Sequence, residues 1–176
     1  MKTLYATLIG VMVLLMGVPL AAAKGVKLVF PSWSQQINDP ARFIVLAAFG
    51  GAAVLDLETG LVWDQSPDTD TRTWVDALHH CYQRTVGGRK GWRLPTIEEL
   101  ASLIDPNNPG GNPDLPPGHP FSNVQSSVYW SATTDASNAS FAWFVGLNFG
   151  SVFNVDKSDA GFVWCVRGGQ GIDGVQ

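Results

Sequence analysis

Trp92-Arg93-Leu94-Pro95-Thr96-Ile97-Glu98-Glu99-Leu100 is the stretch on which the reading of this chain turns. Thr96 is a strong helix N-cap, and Glu99 three residues later completes a capping box. Ile97, Leu100, Leu103 and Ile104 supply one apolar face. Pro95 forbids continuation from upstream, and Asp105-Pro106 stops the helix downstream. A helix therefore starts at a fixed point, with an indole held just ahead of it. Three further segments place a tryptophan beside a turn or cap residue: Thr59-Gly60-Leu61-Val62-Trp63, Val128-Tyr129-Trp130-Ser131-Ala132-Thr133 and Trp164-Cys165-Val166-Arg167-Gly168. Core packing is the ordinary use of Trp63, Trp92, Trp130 and Trp164, and it predicts a small β-rich domain pinned by indoles.

Upstream, Arg42 to Phe49 is an apolar run ending at Gly50-Gly51 and reads as a strand and turn. Ala52 to Asp56 and Leu61 to Asp64 flank Leu57-Glu58-Thr59-Gly60, a hairpin loop with glycine in the left-handed position. Thr71 or Thr73 then caps a helix whose stripe is Trp74, Ala77, Leu78, Cys81 and Tyr82, with Gly87-Gly88 as its end. Downstream, Asp105 to Pro120 is a long loop of Pro, Gly, Asn and Asp. Ser127 to Thr133, Phe141 to Leu147, Ser151 to Val155 and Gly161 to Arg167 read as strands, with Asn148-Phe149-Gly150 joining the middle two. Strands, two helices, then strands again make one α+β domain.

Residues 1–23 have the form of a cleaved signal peptide: Lys2, an apolar run from Leu8 to Met16, and Ala21-Ala22-Ala23. The apolar run is shorter than the roughly 20 residues a spanning helix needs. The chain is then expected in the periplasm, or secreted and at the cell surface. Residues 24–41 form a lead-in, 42–169 the domain and 170–176 a tail. The full chain carries a net charge of −4 and has no basic run, which argues against nucleic acid and anionic membranes as partners. Arg84, Arg89, Lys90 and Arg93 are its one basic cluster and read as a solvated helix end. Cys81 and Cys165, the two cysteines of an exported chain, are expected to form a structural disulfide rather than a nucleophile or half of a metal site. Removing it should cost about 2–4 kcal/mol.

Together, the leading strand pair ending in Thr-Gly-Leu-x-Trp, the cysteine-bearing helix, Trp-Arg-Leu-Pro-Thr-x-x-Glu-Leu, Tyr-Trp-Ser-x-Thr and the terminal Cys-Val-Arg resemble the Lcl C-terminal-domain family of bacterial domains. The resemblance covers Arg42 to Gly169. It implies a C-type lectin-like fold: two helices on two small antiparallel sheets, paired terminal strands, and a disulfide from the first helix to the last strand. The calcium-dependent sugar motifs of C-type lectins are missing here, and only Asp135 to Ser140 separates two strands where their calcium loop would lie. Fold and a binding-surface expectation carry over; the calcium–sugar mechanism does not.

Ligand candidates are Trp143, whose indole could stack on a sugar ring, Arg93, which either bridges helix and strand carbonyls or meets ligand, and Asn148 at the hairpin. Asp105, Asn107, Asn108, Asn112 and Asp114 offer hard oxygens for weak calcium binding, although turn chemistry also accounts for them. Adjacent His79 and His80 point to different sides of their helix, and His119 stands apart, so no histidine metal site is expected. Glu98 and Glu99 are expected to be solvated, and no Gly-x-Ser-x-Gly occurs. The sequence therefore reads as a non-catalytic binding domain for a glycan or surface protein, folding without a cofactor. Its alternative is an assembly module of a periplasmic or surface complex.

Overall fold

Alternation of large apolar residues along short strands settles the architecture. The computed structural model describes residues 41–108 and 112–168; the signal-peptide, nearly all of the lead-in and the tail assignments lie outside them. Strands β1 (Phe43–Val45), β2 (Ala53–Asp56) and β3 (Val62–Asp64) precede helices α1 (Trp74–Gln83) and α2 (Ile97–Ala101). Strands β4 (Val128–Thr134), β5 (Phe141–Gly146), β6 (Ser151–Asp156) and β7 (Val166–Arg167) follow. They make two antiparallel sheets, ordered β1-β2-β3-β7 and β4-β5-β6. The fold is α+β, two helices with two small antiparallel sheets. The terminal strands share one sheet but occupy its opposite edges, so β7 pairs with β3 and not with β1.

Because strand side chains alternate, both sheets feed two cores. Ala53, Trp130, Phe144 and Cys165 point into one core with Ala77 and Cys81 of α1. Their neighbours Val54, Tyr129, Val145 and Trp164 point into the other with Leu100 and Leu103. Trp63, Trp92, Trp130 and Trp164 are all buried, as their motifs led one to expect. Edge-to-face contacts Trp63–Trp164 and Phe121–Trp164, with centroids 5.6 and 4.8 Å apart, lock the second core. Cys81 and Cys165 are bonded, with Cα atoms 5.4 Å apart, and tie α1 to the residue before β7.

The α2 start is as its sequence dictates. Thr96 accepts from Glu99 N–H, and the Glu99 carboxylate accepts from Thr96 N–H at 2.8 Å. Glu99 is not solvated as expected, because its carboxylate also takes both ends of the Arg93 guanidinium at 2.7 Å. The helix has only five residues, and Leu103 and Ile104 follow in tighter turns. In α1 the cap is Thr73, and Tyr82 departs from the expected stripe by standing 79% exposed. The helix ends at Arg84, which turns extended, so Gly87-Gly88 instead make a tight turn between Val86 and Arg89. Phe49 likewise leaves the first strand for a 3-10 turn, Ala47–Phe49. Gly161 to Cys165 crosses between the sheets, bridging Arg72 and Tyr129, and only Val166–Arg167 pairs as a strand.

A buried ion pair closes the first sheet. Arg42 donates to both Asp56 oxygens at 2.9 and 2.8 Å and to the Ser102 carbonyl at 2.8 Å. Asp56 also accepts from Glu58 N–H and the Thr59 hydroxyl, so its charge is fully met and the β2–β3 loop is held against the end of α2.

Candidate functional site

Trp143 stands in β5, the central strand of its sheet, and shares one face with Val145 by alternation. At Val145 that face is covered, because the second core and α2 pack there. At Trp143 the cover ends, and the side chain is half-buried. Its indole N–H is the distinguishing feature. Trp74, Trp92, Trp130 and Trp164 donate to the carbonyls of Ser131, Arg89, Arg72 and Asp64 at 2.8 to 2.9 Å. Trp63 keeps its N–H unpaired inside the core. Among the described residues, Trp143 is thus the tryptophan with an indole N–H that is both unspent and within reach of solvent.

Polar groups gather beside it. Asn154 of β6 lies directly across from Trp143 in the strand register. Its amide donates to the carboxylate of Asp135, which leads out of β4. Asp135 also accepts from the backbone N–H and hydroxyl of Ser137 at 2.7 and 2.8 Å, and these bonds hold its carboxyl below the usual carboxylate range. The Ser131 hydroxyl donates to the Trp143 backbone carbonyl at 2.8 Å and ties β4 to β5 there. A register irregularity in β4 between Trp130 and Thr134 sets Asp135 level with Phe141, to whose carbonyl its N–H donates at 3.0 Å. The arrangement is a flat apolar plate edged by a fixed carboxylate–amide pair, a combination that suits a ligand with one apolar face and hydroxyls around its rim.

The three ligand candidates do not converge. Arg93 is committed within the fold: besides Glu99 it donates to the Gly168 carbonyl at 2.7 Å, and its backbone bridges Val166. Asn148 lies beyond the other end of β5, its oxygen packed over Gly146, where an added Cβ would sit 2.9 Å from it. Asp135 and Asn154 were missed in the sequence. The available signal was Asn154 itself, an amide between Phe153 and Val155 in a strand interior where Asn is disfavoured.

The oxygen-rich loop is not a simple solvent-exposed turn. Asp105 and Asp114 are each only 1% exposed, whereas Asn107 and Asn112 are exposed and Asn108 is half-buried. Asp105 accepts from Asn107 N–H at 2.9 Å, and its own N–H donates to the Asp114 carbonyl at 3.3 Å. Among the described residues no group of three or more His, Cys, Asp or Glu is placed to hold a metal.

A second polar cluster lies beside α1. Arg84 pairs with Asp64, and Arg72 pairs with Asp68 at 2.6 Å. Burial raises the Asp64 pKa above the ordinary value against the opposing pull of Arg84. At Asp68 burial also pushes upward, but the Arg72 hydrogen bond and charge and the Asp70 N–H outweigh it, and the pKa falls. Burial depresses the imidazole pKa of His80, against the attraction of Asp68 3.5 Å away. These contacts pin residues 64–72 onto α1.

A protein-family model described as the Lcl C-terminal domain matches residues 52–167, well over half of the chain. No curated protein matches the chain.

Proposed function

The chain belongs to the Lcl C-terminal domain family, and from that premise we propose that it is an exported, non-catalytic binding domain whose ligand is a glycan stacked on Trp143. The observation that carries the reading is the half-buried indole with an unspent N–H, set in a central strand beside the Asp135–Asn154 pair. A pyranose presents an apolar C–H face to such a ring, while its rim hydroxyls exchange water for carboxylate and amide partners. Asp135 is already oriented by Ser137 and Asn154, so little ordering remains to be done when a ligand arrives. Two helices on two small sheets, with a disulfide from α1 to the residue before β7, support kinship with C-type lectin-like domains. Recognition would then use the β-sheet face rather than a calcium loop, since the β4–β5 connection is short.

A glycan array probed with the mature domain tests this. Binding should be lost in Trp143→Ala, weakened by Asn154→Ala, and retained in Phe149→Ala, which removes an exposed ring at the β5–β6 turn. Array binding that ignores Trp143 would refute the reading. Capture of a surface protein that depends on Phe149, Val152 and Phe153 would favour the assembly-module alternative, for these are exposed apolar side chains of one hairpin.

A further inference from the structure

Asp114 presents a charge that the described fold does not answer. It is 1% exposed, one carboxylate oxygen is wholly enclosed, and no hydrogen bond or ion pair reaches that oxygen. Asp56, equally buried, shows the usual solution, with Arg42 and two further donors around it. An isolated carboxylate in an apolar surrounding is among the costliest groups to bury. The surroundings of Asp114 are nevertheless held firmly. Its N–H donates to the Leu147 carbonyl at 2.7 Å, which fastens the α2–β4 loop to the β5–β6 hairpin. Gly150 roofs the carboxylate, so that a Cβ there would lie 3.4 Å from the Asp114 Oδ2 and 3.1 Å from the Ile104 methyl. Asp105 sits one backbone hydrogen bond away and is itself buried. Asn108 donates its amide N–H to the Leu115 carbonyl at 3.3 Å, a further bond that closes this loop on itself.

We propose that Asp114 is the anchoring ligand of a divalent-cation site, of the calcium class, that joins the α2–β4 loop to the β5–β6 hairpin. Asp105 is the second carboxylate, held close by the hydrogen bond from its N–H to the Asp114 carbonyl. Calcium fits better than magnesium because it accepts six to eight oxygens in an irregular shell, as a loop provides, whereas magnesium demands a near-ideal octahedron. The cation neutralises the enclosed carboxylate and makes the hairpin that follows Trp143 depend on the same ion.

Calorimetric titration of the chelator-stripped domain with calcium chloride, alongside thermal melts, tests the site. The wild type should bind one calcium per chain and melt about 5–10 °C higher at a hundredfold excess over Kd. Asp114→Asn keeps the side-chain shape and removes the charge. It should abolish both effects and melt, in chelator, no lower than the stripped wild type. Asp70→Asn, at an exposed carboxylate, should bind as the wild type does. Wild type without binding heat or melting shift would overturn the proposal, as would Asp114→Asn responding like the wild type. Should Asp114→Asn not fold, the wild-type stoichiometry decides: one calcium retained through gel filtration supports the site, and none refutes it.

Discussion

Replacing Glu99 by alanine should destabilise the domain far more than its place on a five-residue helix suggests. One carboxylate oxygen accepts Thr96 N–H at 2.8 Å and an Arg93 nitrogen at 2.7 Å; the other accepts the second Arg93 nitrogen at 2.7 Å. Loss of the capping interaction costs about 0.5–1 kcal/mol. Hydrogen bonds to a charged partner contribute about 1.5–3 kcal/mol when well enclosed. The Arg93 side chain is 33% exposed and that of Glu99 15%, so solvent screening brings the pair to about 1–2 kcal/mol. The expected total is about 1.5–3 kcal/mol, read as a lower urea midpoint with unchanged slope by tryptophan fluorescence. Glu99→Gln should fall between, since it keeps an acceptor for Thr96 N–H and loses the charge. In a double-mutant cycle with Arg93→Ala, the coupling should be about 1 kcal/mol or more. A Glu99→Ala domain within about 0.5 kcal/mol of wild type, or strictly additive single changes, would refute the reasoning.

Gly87 and Gly88 make a matched pair. Both have positive φ, but a Cβ at Gly87 would lie 2.5 Å from the Phe49 Cα, while one at Gly88 meets nothing within 4 Å. Gly88→Ala should therefore lose only the left-handed backbone cost of about 1–2 kcal/mol. Gly87→Ala should lose about 3–5 kcal/mol, because overpacking against backbone adds to that cost; equal urea midpoints for the two variants would show that Phe49 yields freely. His119 gives a pH signature: burial lowers its imidazole pKa below 6.5, and its enclosed Nδ1, beside Phe121, has no partner among the described residues. The unfolded chain then binds the proton first, so this contribution is present above pH 6.5 and is lost as pH falls through and below it. The urea midpoint should drop between pH 7.5 and 5.5, less so in His119→Asn, and His80 acts in the same direction. A midpoint that rises over that interval would contradict both assignments.

Much of the fold was legible because its causes are local. The Thr96–Glu99 box spans three residues, the Leu57–Gly60 loop closes on Asp56, and the two cysteines had one partner each to choose. The buried indoles were legible because large apolar area fixes their place whatever the topology. Errors arose where a segment's fate lay with distant neighbours. Gly161 to Cys165 has the composition of a strand, yet its extended backbone is shared between Arg72, Tyr129 and Asp64, so only two residues complete a ladder. Tyr82 fits a helical stripe by spacing, but among the described residues no element covers that end of α1.

The candidate site divides in the same way. The sequence by itself singled out Trp143 as a residue outside the anchoring motifs and marked 105–114 as an oxygen-rich loop. It could not tell which face of β5 is open, for that depends on where α2 stops covering the sheet and on the irregularity in β4 just ahead of Asp135, the partner of Asn154. Nor could it tell Asp114 from its exposed neighbour Asn112. Composition describes both as turn formers; only the hairpin folding back, with Gly150 over the carboxylate, removes one of them from water. Capping and hydrophobic sorting are decided over a few residues, whereas solvent exposure is a property of every segment that could have lain on top.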